Sequence, residues 1–215
     1  MKEKNSKKFV LPVCLTVITL IYTVLVRTVN VEAIGPQGTS VGFAAINGAV
    51  HNAIGVHMLW YKITQALGLF AIFVFALFAL QGFIQLIKRK SLFKVDRSII
   101  SLGIIFAVLF ALYVIFEILI INYRPVIMPG ETEVEASFPS SHTMLAYTVF
   151  GCVIIYFKKF LSGKSYSKII MIVSLILIFL MLFGRLFSGV HWLTDIVGGV
   201  LYSAVLLAFF NVMTE

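Results

Sequence analysis

The chain has 215 residues, 60% hydrophobic and only 12% charged, with a formal net charge of +8 at pH 7 and a mean hydropathy of +1.04. That balance excludes a water-soluble globular domain, and unbroken Leu/Ile/Phe/Val blocks exclude the short alternating strands of a barrel. The expectation is an all-α, polytopic membrane helix bundle forming one domain over residues 1–215, and the basic residues, clustered between apolar runs, read as a topology signal with no nucleic acid implied.

Six apolar runs are long enough to cross a bilayer, at residues 9–26, 58–87, 98–122, 142–157, 169–187 and 191–212. The first follows MKEKNSKK and lacks an A-x-A-like cleavage site, so it is expected to be a retained helix. An even number of spans puts both termini on one side. Lys2, Lys4, Lys7 and Lys8, then Lys88, Arg89, Lys90, Lys94 and Arg97, then Lys158, Lys159, Lys164 and Lys168 share that side, whereas Arg27, Lys62, Arg124 and Arg185 fall on the other. The positive-inside rule makes the clustered face cytoplasmic, in a cell-membrane protein with cytoplasmic termini. Cys14 and Cys152 lie inside apolar runs, where a thiol behaves as a small hydrophobe, so no disulfide is implied.

The loop at 28–57 carries His51 and His57, read as interfacial residues whose spacing matches no metal motif. Glu117 lies in the third run, and Tyr123, Arg124 and Pro125 close it. If the helix continues to residue 122, Glu117 shares a face with Arg124 but lies about 10 Å deeper, and it is expected to orient Arg124 or Arg185. The loop at 123–141 is acidic, with Glu131, Glu133 and Glu135. It leads to Pro139, Ser140, Ser141 and His142, a helix start with Ser140 as expected cap. The last run is announced by RLFSGVHWLTD, in which Arg185 is a fork suited to a phosphoryl group. His191 and Asp195, four apart, would share a helix face, so that Asp195 orients His191 as a nucleophile.

Each of these short patterns alone has a bland reading as an interfacial Arg, a capping Ser or a self-satisfied polar pair. Together they deliver R-P, P-S-S-H and R-x5-H-x3-D to one membrane face in that order. This arrangement resembles the type 2 phosphatidic acid phosphatase superfamily, the membrane lipid phosphatases related to vanadium haloperoxidases, whose pattern is K-x6-RP, PSGH and SR-x5-H-x3-D. The motif core is residues 117–195.

The resemblance implies a metal-independent phosphatase that needs no cofactor and whose partners are a lipid phosphate and the bilayer. It further implies that His191 attacks phosphorus to form a phosphohistidine, Asp195 orients it, and His142 protonates the leaving oxygen. Arg124, Arg185, Ser140 and the Ser141 amide would hold the phosphoryl oxygens. Candidate substrates are a polyprenyl pyrophosphate, phosphatidylglycerol phosphate, phosphatidic acid or diacylglycerol pyrophosphate, met on the extracytoplasmic side. Three departures stand out: Ser141 in place of Gly, Gly184 in place of Ser, and Glu117 in place of Lys. Lys62 is the candidate replacement for the missing ammonium, and accordingly Glu117 and Lys62 are accessory candidates. A non-catalytic phospholipid-binding or transport protein of the same fold is the competing reading.

Overall fold

The computed structural model describes residues 7–215; Lys2 and Lys4 of the first basic cluster lie outside the described residues. Among the described residues, six helices are long and apolar enough to span a bilayer: α1 (Val10–Thr28), α3 (Met58–Arg89), α4 (Arg97–Ile118), α5 (Ser141–Phe160), α6 (Ser167–Ser188) and α7 (Leu193–Met213). The protein is thus a multi-pass membrane protein. The first connecting segment folds further, into a bridge between Glu32 and Val41 and a helix, α2 (Ala44–Ile54).

The bundle is organised around α5, which packs against α3, α4, α6 and α7. Half of its apolar window is buried inside the protein, against 17% for α1 and for α3, whose Leu and Phe side chains face the surroundings. Lipid tails offer no hydrophobic drive between helices, so association depends on close packing at small residues. On α7, a Cβ at Gly198 would stand 2.5 Å from the Phe138 ring, and one at Gly199 would stand 2.9 Å from Thr143 and 3.0 Å from the Ser140 carbonyl. These two glycines let the segment at 138–143 lie directly on the start of α7.

Two helix ends differ from the sequence expectation, and both differences move the site. Helix α4 stops at Ile118 and the chain runs non-helical through residue 124. Glu117 is therefore in the last turn, at the mouth and exposed, not buried deeper in the membrane. Helix α7 starts at Leu193, so His191 precedes it in the turn after α6 and is not one helical turn from Asp195 on a shared helix. That turn is made by Gly189 at φ +68, where a Cβ would also stand 2.1 Å from the Gly55 carbonyl oxygen. Only glycine satisfies both demands. The His57 amide donates to the Ser188 carbonyl at 3.1 Å, tying the first loop to the same turn.

Candidate active site

His191 is 4% exposed and Asp195 fully buried. An arginine can only donate, so the 2.7 Å contact from Arg185 Nη2 makes His191 Nε2 an acceptor and puts the ring proton on Nδ1. Nδ1 faces Asp195 Oδ2 at 3.6 Å. Asp195 Oδ2 also accepts the Trp192 amide at 2.9 Å, so the same carboxylate closes the first turn of α7 and faces the imidazole. Burial, then the positive charges of Arg185 and Arg124, hold the His191 pKa well below the ordinary histidine value. The ring is neutral at pH 7, the state a nitrogen nucleophile requires.

The first two motifs are stitched to this pair through backbone groups. Ser140 N–H donates to the Asp195 carbonyl at 2.9 Å, and Trp192 Nε1 donates to the Tyr123 carbonyl at 2.7 Å. Asn122 Nδ2 reaches Asp195 Oδ1 at 3.4 Å, while the Asn122 carbonyl accepts the Ser137 amide at 2.9 Å. Arg124, His142, Arg185 and His191 lie within electrostatic reach of one another. Three nitrogens that no carboxylate faces, Arg124 Nη1, Arg185 Nε and His142 Nδ1, are buried with no hydrogen-bond partner. Buried polar groups are normally satisfied, so such a cluster around two guanidinium groups is built for an anion.

Several expectations need correction. Ser140 does not cap α5 with its side chain; its hydroxyl accepts from Thr143 Oγ1 at 3.0 Å. Glu117 orients neither arginine: Arg124 Nε pairs with Glu135 Oε2 at 2.9 Å, and Arg185 contacts His191 and Thr64. Glu117 instead lines a small cavity together with Arg124, Ser141 and His191. Lys62 is exposed and lines neither that cavity nor the larger groove described below, so no replacement ammonium enters the site from it. Ser141 opens α5 without a positive φ, so the glycine of the family pattern is not conformationally required there.

Residues from the N-terminal half were not identified by motif reading. Thr64 on α3 accepts Arg185 Nη1 at 3.2 Å. A Cβ at Gly184 would stand 2.5 Å from Thr64 Cγ2, so the glycine leaves the room in which Thr64 reaches Arg185. Tyr61 places its ring 5.5 Å from the Arg185 guanidinium, a cation–π contact. Gln65 Oε1 accepts from His142 Nε2. Asn47 on α2 accepts the Thr194 amide at 3.2 Å and donates to Thr194 Oγ1 at 2.9 Å. Tyr22 on α1 donates to the Thr194 carbonyl at 3.0 Å, which clamps the residue before Asp195 from three sides. The available sequence signal was polar residues within or beside apolar runs, which motif spacing does not rank.

A second cavity, about 1050 Å³, begins at Gln65, Ser141 and His142 and continues between α3 and α4 as an almost wholly apolar groove. Its α3 wall runs from Gln65 to Leu86, about 30 Å at 1.5 Å per residue, the hydrocarbon thickness of a bilayer.

This fold and this site define a multi-pass membrane protein with a buried cluster of histidine and arginine where its spans end. Residues 118–215, a little under half of the chain, match the family model of the PAP2 superfamily. Among known proteins it is similar to phosphatidylglycerophosphatase B of Bacillus subtilis (strain 168), with 36% identity over 90 residues, 41% of this chain. The match spans 43%, less than half, of that relative's length. The crystal structure of the first transmembrane PAP2-type phosphatidylglycerolphosphate phosphatase from Bacillus subtilis shares the fold, with a TM-score of 0.61 over 94% of each chain at 24% identity.

Proposed function

We propose that the protein is a membrane lipid phosphatase that removes a terminal phosphate from a lipid phosphate or pyrophosphate through a phosphohistidine on His191. The observation that carries this reading is the neutral His191 ring held between Arg185 at Nε2, 2.7 Å away, and Asp195 at Nδ1. A phosphoryl oxygen takes the place of Nε2 as acceptor for Arg185, which frees the Nε2 lone pair to attack phosphorus. The bond from phosphorus to the leaving oxygen breaks as His142 delivers a proton to that oxygen. Water then attacks the phosphohistidine, giving a proton to His142, and phosphate departs with the P–N bond broken. Arg124, Arg185, Ser140 and the Ser141 amide stabilise charge on the equatorial oxygens, the main task of a protein in phosphoryl transfer.

The apolar groove beside His142 supports a lipid substrate, since it offers a tail a dry wall continuous with the bilayer. Phosphatidylglycerol phosphate is the first substrate to test, because the similar Bacillus proteins are named for it. Polyprenyl pyrophosphate, phosphatidic acid and diacylglycerol pyrophosphate follow. The clustered Lys and Arg at the opposite ends of the spans support a site that opens on the extracytoplasmic side. A phospholipid-binding protein of the same fold is the second reading, favoured by the Glu117 carboxylate in the cavity that Arg124 and His191 share.

Phosphate release from these four lipids in detergent with EDTA, comparing wild type with His191→Ala, tests the proposal. Chelator-resistant release that falls by about 10³-fold or more in the variant is the expected result. Release that survives in His191→Ala excludes the phosphohistidine route. A folded wild-type protein that binds these lipids but hydrolyses none is the binding protein.

A further inference from the structure

The first three turns of α3 form a cradle for His142 that the three motifs do not contain. Tyr61, Gln65 and Gly68 follow one another at helical spacing and so share a face. Gln65 Oε1 accepts the His142 Nε2 proton. The other end of the same amide is fixed in turn, because Gln65 Nε2 donates to Tyr61 Oη at 2.7 Å. One turn further on, Gly68 lies against the ring itself: a Cβ there would stand 2.8 Å from His142 Cδ2 and 3.3 Å from Nε2. A side-chain partner and a missing side chain thus define the imidazole position independently.

We infer that Gln65, anchored by Tyr61 and seated beside Gly68, is the positioning residue for His142 as the acid of the reaction. The inference rests on the proposed phosphatase reading. His142, in the first turn of α5, lines the groove at its polar end. Holding Nε2 on the Gln65 carbonyl fixes the ring plane and leaves Nδ1, which has no partner, as the nitrogen able to exchange a proton with substrate. An uncharged amide suits this task. It accepts from the ring without the strong ion pair that a carboxylate would form with an imidazolium, so the proton remains available for transfer. Tyr61 also lies over Arg185, so the same helical face touches both the acid and a phosphate ligand.

A positioning defect at an acid has a signature that general loss of structure lacks. An alkoxide leaving group needs a proton as it departs, whereas 4-nitrophenolate leaves without one. The test is kcat for octyl phosphate and for 4-nitrophenyl phosphate in detergent-solubilised full-length protein. Wild type is compared with His142→Ala, Gln65→Leu, Gly68→Ala and Tyr61→Phe.

In Gln65→Leu, kcat for octyl phosphate should fall about 30-fold or more and that for 4-nitrophenyl phosphate about threefold. Gly68→Ala, which displaces the ring without deleting its partner, should show the same bias, and Tyr61→Phe a weaker one. His142→Ala should show the largest bias of the set. Equal losses on both substrates in Gln65→Leu and Gly68→Ala, with the bias intact in His142→Ala, overturn the role of Gln65 while leaving the acid in place. Absence of the bias in His142→Ala itself removes the acid from the proposed mechanism, and the role of Gln65 with it.

Discussion

The two halves of the chain divide the site unevenly. The segment from Arg124 to Asp195 carries every group that the motifs single out, and its central helix is the most enclosed of the spans. The segment from α1 to α3 faces outward along most of its length and contains none of the motifs. Yet it supplies Thr64 to Arg185, Gln65 to His142, and Asn47 and Tyr22 to Thr194 beside Asp195. The difference teaches that reactive groups and the groups that aim them obey different rules. A nucleophile, an acid and a phosphate ligand need particular residue types at particular spacings. A support needs only one donor or acceptor at the right place, which many sequences can supply.

Three substitutions probe this division, from the largest expected effect to the smallest. Arg185→Lys keeps the charge but loses the fork that faces His191 and Thr64 together. A loss of about 2–3 kcal/mol in transition-state binding is expected, read as a fall of about 100-fold in kcat/KM. Activity near wild type would mean that charge alone suffices and that the Thr64 contact is incidental. Asn47→Ala strips the Thr194 amide of its acceptor and cuts a tie between α2 and α7. It should cost about 2 kcal/mol in denaturant or thermal unfolding and lower activity as the Asp195 turn loosens. A neutral result would make the α2 contact to Thr194 dispensable and leave the support of the site to α1 and α3.

Glu117→Gln is the smallest. The carboxylate is exposed and holds no ion pair among the described residues, so stability should change by less than about 0.5 kcal/mol. Removing its charge from the cavity shared with Arg124 and His191 should lower KM for a dianionic phosphate about twofold. A large loss of kcat would instead make Glu117 part of the proton-transfer chemistry.

The departures from the family pattern show where reading along the chain stops. Gly184 reads as a departure from the Ser of the pattern, but its missing side chain admits Thr64, from a helix about 120 residues earlier, to Arg185. Glu117 reads as a deep carboxylate because apolar residues continue to Ile121. The helix in fact ends at Ile118, since the next residues turn to carry Asn122 beneath Asp195 and Tyr123 beside Trp192. Hydropathy gives no sign of that exit, because the departing chain is as apolar as the helix it leaves.

Sequence alone determined the membrane class, the six spans to within a few residues and the residues His142, Arg185, His191 and Asp195 as one group. Those features rest on local quantities, namely apolar run length and the spacing of rare polar groups, each of which a bilayer makes costly to change. Tertiary structure alone decided that His191 sits in a turn before α7, that Arg124 meets Glu135 and not Glu117, and that α3 cradles both His142 and Arg185. Contacts of this kind depend on how close two helices approach and on which side chains then meet. That approach is set by glycines and ring packing across the whole bundle, which no single segment encodes.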